Sequence, residues 1–384
     1  MNEATSPTER FNVVIVGGGV AAVEAALALR EFGGDRISTS MIAPGHEFVY
    51  RPMSVREPFG YGAARRYPLE QIAGDLGAEL HCDAFTWLDR AARLVHTQSG
   101  HAHSYDAVLL AMGARQYHRY HRALTLEDTR LDELLHGLIE DVEGGYVKEL
   151  AFVIPSGRAW PLPIYELALM TAARACDMQV ELSITIVTPE DSPLAIFGLD
   201  ASHGVRALLE DKGIETVTSA HCAIPEPGRI VIHPGSREVR ADRIVVLPEL
   251  LGPAVAGVPS AGAGFIPVDV HGKVRGTEGV YAAGDATDFA VKHGGIAAQQ
   301  ADVAAQAIAA LAGVAFEPAP FYPVIRGILL TGGEPLYLAA HITGGHGSSS
   351  YLAETASWSP PHKIAAQYLA PYLESLDRES VNVS

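Results

Sequence analysis

The stretch Phe11-Asn12-Val13-Val14-Ile15-Val16-Gly17-Gly18-Gly19-Val20-Ala21-Ala22 decides how the chain folds. Mostly apolar residues that run straight into glycines predict a buried strand, and the alanine-rich run Ala21 to Arg30 behind them predicts a helix. Ile37 to Ile42 follows as a second strand, so the chain opens with a βαβ unit. Between the first strand and the helix the spacing is Gly17-x-Gly19-x-x-Ala22. In such a turn Gly17 permits the sharp bend, Gly19 lets a pyrophosphate approach bare backbone, and Ala22 lets the helix pack close to the strand. The first helical residues, Val20 among them, offer free N–H groups and the positive end of the helix dipole to the anion. The competing reading is a glycine-rich turn with no ligand. One expected part is absent. The second strand ends in Ile42-Ala43-Pro44-Gly45, not in the acid that usually binds a ribose hydroxyl. Either the ribose is held by other groups or Glu47 reaches back.

Outward from this unit, Ala107 to Leu110 is another buried strand, ending at Met112-Gly113-Ala114. A second α/β unit begins with the strand Leu150 to Ile154. It continues through the helix Tyr165 to Ala175, the strand Ser183 to Val187, a helix from Val205 that stops at Gly213, and the strand Arg243 to Leu247. Val280 to Ala282 then returns as a strand, with a long alanine-rich helix from about Gly295. The order predicts an α/β fold of two Rossmann-like dinucleotide-binding domains, the second inserted in the first, plus a small C-terminal region. The expected boundaries are 11–117 and 255–325 for the first domain, 118–254 for the second and 326–384 for the C-terminal region.

Val280-Tyr281-Ala282-Ala283-Gly284-Asp285 is the other sharp signal. A strand ending in Gly-Asp places a carboxylate where it can accept from a ribityl hydroxyl, although Asp285 also reads as a helix N-cap. Lys292-His293-Gly294-Gly295 then precedes a helix whose positive end would stabilise an anionic reduced flavin.

These residues carry a family resemblance. Gly17 to Ala26, Leu110-Ala111-Met112-Gly113-Ala114 and Ala282-Ala283-Gly284-Asp285 resemble the flavoproteins with two dinucleotide-binding domains. Tyr50-Arg51-Pro52, Phe197-Gly198, Gly213-Ile214-Glu215 and Lys292 to Ala301 are similar to the sulfide:quinone oxidoreductase and type II NADH dehydrogenase branch. The resemblance covers roughly Phe11 to Ala312. It implies non-covalent FAD on Gly17, Gly19, Val20, Ala22, Arg51, Gly113, Gly284 and Asp285, with Lys292 and Gly295 near the isoalloxazine ring and the backbone of Ala84 at the adenine.

Two departures limit it. After Leu150 to Ile154 an NAD(P)H-binding domain should repeat the glycine fingerprint, but this chain has Pro155-Ser156-Gly157-Arg158-Ala159-Trp160-Pro161-Leu162-Pro163. Prolines donate no N–H, so hydride transfer from NAD(P)H is disfavoured. The sulfide-handling cysteines of the branch, one of which sits in this loop, are missing here too. Cys176 lies further along and reads as a small inward-facing hydrophobe at a helix end.

The remaining candidates line one expected pocket. Glu166 is a catalytic base or merely complements its helix dipole. Lys292 polarises a flavin carbonyl or stays solvated, and His293 has the ordinary pKa for proton shuttling. Arg51 holds an anionic substrate or pairs with Glu57. The reading is an FAD-dependent oxidoreductase moving electrons between a small donor and a quinone or other acceptor. The alternatives are a flavin-binding protein with a structural or regulatory role and an NAD(P)H:quinone reductase with an atypical nicotinamide site.

Composition agrees with an enzyme and excludes other classes. Apolar residues make up 48% and charged residues 19%, which is globular. A formal charge of −17 supplies no basic face for nucleic acid. Cys82, Cys176 and Cys222 are too far apart for a CxxC pair or a zinc site, so no metal is expected. Met1 to Arg10 has no apolar signal core, and Gly294 to Phe316 is too polar to span a bilayer, so the cytoplasm is the expected location. Ile364, Tyr368, Leu369, Tyr372 and Leu373 share a helical face that suits the protein's own core or a homodimer partner better than an anionic membrane.

Overall fold

The computed structural model describes residues 10–127, 130–343 and 346–383. The first unit runs β1 (Phe11–Val16), α1 (Val20–Gly33), β2 (Ile37–Ile42), β3 (Glu79–His81) and β4 (Ala107–Leu110). The chain then enters a second unit: β5 (Leu124–Thr125), α2 (Leu131–Glu143), β6 (Glu149–Val153), α3 (Leu162–Asp177), β7 (Ser183–Val187), α4 (Leu199–Asp211), β8 (Ile214–Val217) and β9 (Arg243–Val246). It returns with β10 (Val280–Ala282) and α5 (Gly294–Leu311), and ends with β11 (Val324–Leu329), β12 (Leu336–Thr343), β13 (His346–Ala353) and α6 (Leu369–Val383).

Two parallel sheets follow from this order. The first is β10-β4-β1-β2-β3, and the second is β5-β9-β6-β7-β8. The returning β10 pairs with β4, so the first sheet is completed only after the whole second sheet has been laid down. Strand pleating explains why both sheets need two covers. Val13 and Ile15 point into the alanine-rich layer of α1 and α5, while Val14 and Val16 point into the opposite cluster with Leu88, Val95 and Ile266. In the second sheet Leu150 and Phe152 face the helices, and Ala151 and Val153 face Ile230, Ile232 and Ala241. A three-stranded antiparallel meander supplies part of the second cover in each case, over Phe85–Asp89, Leu94–Thr97 and Ala102–Ser104, and over His221–Glu226, Arg229–His233 and Arg237–Arg240.

The last segment ties back to the start. β11, β12 and β13 form an antiparallel sheet, and α6 lies on the first unit through Leu369 and Leu373. Of the expected helical face Ile364, Leu369 and Leu373 are buried and Tyr368 and Tyr372 half-buried, but the helix starts only at Leu369, with Ile364 and Tyr368 ahead of it. Glu24 of α1 sets that start. Its carboxylate accepts the N–H groups of Gln367, Tyr368 and Leu369 at 2.8, 3.0 and 2.5 Å, which serves unsatisfied donors at the beginning of α6.

Asp302 of α5 is hydrogen-bonded to Glu24. Burial, and then the neighbouring Glu24 charge, push the Asp302 carboxyl up to about 9. Near neutrality Asp302 therefore holds a proton; burial raises Glu24 as well, against the three N–H groups of α6 that favour its charged form. A folded pKa above the unfolded value means this contribution is complete in acid and is lost as pH rises from about 4 through about 9. Asp302→Asn keeps a donor and removes the ionisation. Its melting temperature should hold level between about pH 6 and pH 9 while that of the wild type falls, at roughly 1–2 °C per kcal/mol for a chain of this size. Parallel melting curves would show that the pair does not share a proton.

Candidate functional site

The turn from β1 to α1 contains two glycines with different reasons for being there. Gly17 has φ +135°, and a Cβ on it would lie 2.3 Å from the Ala111 carbonyl oxygen, so the protein's own packing requires it. Gly19 has φ −93°, which any residue adopts, and a Cβ there would meet nothing within 4 Å. The fold itself has no need of a glycine at 19. Bare backbone at that point leaves room for a group from outside. Gly113, after β4, likewise faces open space at φ +73°.

The start of α1 is built for an anion. Gly19 is its N-cap with no side-chain cap, and no acid stands in the first turn. Val23 is the first residue whose N–H reaches Gly19 O, at 3.0 Å, which leaves the N–H groups of Val20, Ala21 and Ala22 without helical partners. Ala22 is fully buried against the sheet, as its place in the fingerprint predicts. These features fit a diphosphate. Glu47 turns instead to Arg66, at 3.1 Å, on the surface. Ala84 has its N–H bonded to Asp83 Oδ1 at 2.8 Å and its carbonyl to Gln98 N at 2.8 Å, so both main-chain groups expected at an adenine already have partners in the fold.

The Gly-Asp element after β10 is pinned from all sides. A Cβ on Gly284, at φ +75°, would press on Ala21 and Ala297 at 3.2 and 3.3 Å, so α1 and α5 close on this turn. Gly284 N–H donates to Gln300 Oε1 at 2.8 Å. Lys292 is buried, and its Nζ donates to the carbonyls of Asp285 at 3.1 Å and Thr287 at 2.6 Å, with the Phe265 ring 4.0 Å away. It is not the solvated lysine of the alternative reading. Burial lowers its pKa to about 8, which keeps it mostly charged at neutral pH. His293, the N-cap of α5, is buried, with its ring tilted against that of Trp160 at a centroid distance of 4.6 Å. Burial, then Lys363, lower its pKa to about 4, so it is neutral at pH 7 and poorly placed as a shuttle there. Gly295 is less open than expected: a Cβ would lie 2.9 Å from the His293 ring, and Ala365 of the C-terminal segment runs above it.

Glu166 has a partner that sequence gave no hint of. It lies at the start of α3 and is completely enclosed, and its Oε1 accepts from Lys363 Nζ at 2.6 Å and Leu330 N–H at 3.0 Å. Lys363 also donates to Pro52 O at 3.0 Å, so this pair joins the first unit, the second unit and the C-terminal segment. Burial pushes Glu166 up and Lys363 down, both toward their neutral forms. Beside Lys363 opens a cavity of about 980 Å³, lined by Tyr50, Met53, Tyr61, Leu330 and Tyr337 among others. Arg51 is exposed, and Glu57 accepts from Ala64 N–H at 2.6 Å instead of pairing with it. Tyr165 beside Glu166 is fully buried, and Cys176 is exposed rather than turned inward.

In the second unit the equivalent nucleotide place is filled from within. A Cβ on Gly157 would lie 2.7 Å from the Glu249 carboxyl carbon, and Glu249 is itself held by Arg119 at 2.6 Å. Arg158 leaves the loop for Asp288 O at 2.9 Å. Glu190 follows β7, where a ribose-binding acid belongs. Its Oε2 accepts from Tyr165 OH at 2.6 Å and Thr188 Oγ1 at 3.0 Å, and burial pushes its carboxyl up to about 7.

A sheet order completed by a late strand, joined to a bare β1–α1 turn, defines a nucleotide-binding α/β protein. The sequence profile described as pyridine nucleotide-disulphide oxidoreductase matches residues 11–133 and 166–308, and the chain belongs to that family. It is an FAD-dependent oxidoreductase. The match lapses over 134–165, the segment that holds β6 and the proline-rich loop. The fold is similar to that of the sulfide:quinone oxidoreductase from Aquifex aeolicus, with TM-score 0.79, 19% identity, and 90% of this chain and 87% of that one covered. A ferredoxin reductase from Rhodopseudomonas palustris gives TM-score 0.66 at 21% identity, covering 87% and 83%. An NAD-dependent persulfide reductase from A. fulgidus gives 0.62 at 21%, covering 88% and 65%. No curated protein matches the sequence. Among the described residues no helix is long and apolar enough to cross a membrane, and no cluster of ligands suits a metal ion.

Because the space at Gly19 is empty of protein, Gly19→Val should fold normally and lose its FAD. The expected result is a colourless variant whose far-ultraviolet circular dichroism matches that of the wild type; full FAD content would remove Gly19 from the cofactor site.

Proposed function

We propose that this flavoenzyme exchanges electrons with a small organic molecule or quinone in the cavity beside Lys363, with no nicotinamide seated on the second unit. The observation that carries this reading is the inward use of Glu249 and Glu190, the two carboxylates that line the second unit's nucleotide place. A carboxylate under the Gly157 loop repels a pyrophosphate, and Tyr165 and Thr188 hold Glu190 in the fold through its Oε2. Sulfur capture is disfavoured by distance. Cys176 lies 14 residues beyond Leu162 on α3, roughly 20 Å at 1.5 Å per residue from the loop that would need it.

FAD, when bound, supplies reversible two-electron chemistry. The chain's own residues do the rest. The amides of Val20, Ala21 and Ala22 hold the diphosphate against bare backbone at Gly19. Asp285 would accept from a ribityl hydroxyl, and Gln300 and Lys292 fix the turn that carries it. The charge on Lys292 and the uncapped start of α5 favour negative charge nearby. Lys363 Nζ, hydrogen-bonded to Glu166, holds a proton at the cavity wall, where proton transfer can accompany electron transfer.

Anaerobic rapid mixing tests the reading. A small hydroquinone should bleach the visible flavin band, whereas saturating NADH and NADPH should leave it unchanged on the same timescale. Fast bleaching by either nicotinamide would overturn the proposal, since the second unit would then accept the ligand its side chains are argued to exclude.

A further inference from the structure

The cavity beside Lys363 has a charge pattern that narrows what it can hold. Its walls carry four cationic side chains, Arg56, Arg65, Lys363 and Arg378. Three are matched: Arg65 pairs with Asp377, Arg378 lies 4.0 Å from Glu374, and Lys363 lies 2.6 Å from Glu166. Arg56 is different. Among the described residues no carboxylate comes within ion-pair distance of its guanidinium, which instead sits 5.4 Å from the centre of the Tyr61 ring. Arg174 lies 5.7 Å from the same ring but pairs with Glu143 at 3.4 Å, so Arg56 is the cation of this wall left without a carboxylate among the described residues.

Apart from His362 and the carboxylates Glu374 and Asp377, which face His362, Arg378 and Arg65, the rest of the lining is mostly aromatic and apolar. Tyr50, Tyr61, Tyr67 and Tyr337 present rings, and Met53 and Leu330 close the space between them. A volume of about 980 Å³ lies within the range of small-molecule sites, of about 300–1,000 Å³. A half-buried guanidinium with its hydrogen-bonding fork free is a carboxylate receptor, because its planar donors match two oxygens at once.

We propose that the cavity takes a flat, apolar molecule bearing one carboxylate, with the carboxylate on Arg56 and the body among the tyrosines. This rests on the flavoenzyme reading and names its substrate class. The next residues after Lys363 explain why such a ligand lies near the redox end. Ile364 packs on Gly294, and Ala365 runs over Gly295, at the start of α5, so one strand of chain separates the cavity from that helix end.

The probes are 2-naphthoate and its neutral isostere 2-naphthamide, titrated calorimetrically into the FAD-loaded protein. The wild type should bind the carboxylate at least about ten-fold more tightly than the amide, a difference of about 1.4 kcal/mol. Arg56→Gln should abolish that preference and leave amide binding unchanged. Arg378→Gln removes a cation that already has an acid, and should leave the preference in place. No saturable binding of either probe at millimolar concentration, equal binding of both, or a preference that survives Arg56→Gln would each overturn the proposal, as would an equal loss in Arg378→Gln. Visible absorbance of the same samples separates the two layers. A colourless protein that still prefers the carboxylate contradicts the flavin reading alone, and a yellow protein without preference contradicts only the assignment of the cavity.

Discussion

The structure depends on main-chain amides left bare where β1 hands over to α1. A helix start normally finds a side-chain cap or an acid, and this one has neither. Keeping it bare constrains much of the first unit. Gly17 must accept a positive φ so that Ala111 can come close, and α1 must lie near α5 so that Gly284 fits between them. That is why the facing surfaces of α1 and α5 are nearly all alanine, with Ala21, Ala22, Ala25, Ala297, Ala301 and Ala304 in one buried layer. Larger side chains there would push the Gly-Asp turn away from the start of α1.

The second unit repeats the first in architecture and departs from it in chemistry. Both sheets are parallel and covered on one face by helices, with a meander contributing to the other cover. In the first, the space at the strand-to-helix turn is kept open by glycine. In the second, Glu249 rises beneath Gly157, and Tyr165 satisfies Glu190 from the same helix that follows the loop. The inserted unit thus keeps the shape of a nucleotide domain while its polar groups serve the fold. From its helix α3, Glu166 reaches Lys363 of the C-terminal segment.

Much of this was legible in the sequence, for a physical reason. Parallel strands buried on both faces read as unbroken apolar runs, and Phe11–Val16, Ala107–Leu110, Ser183–Val187 and Val280–Ala282 have the limits their sequence suggests. The meanders escaped notice because strands such as Arg237–Arg240 are largely exposed and carry no periodic apolar signal. The first glycine fingerprint was readable because its spacing is local. Glu166 and Lys363 lie 197 residues apart, and no local pattern announces such a pair. Lys292 and His293 follow the Gly-Asp turn in the sequence, but their burial, which lowers both pKa values, depends on Phe265 and Trp160 from distant loops.

The most direct test of the account is the cofactor content of the purified chain. Heating should release one FAD per chain, identified by chromatography, and the stripped protein should turn yellow again when FAD is returned. A protein that carries no flavin and takes up none would mean that the open hollow at Gly19 serves no diphosphate.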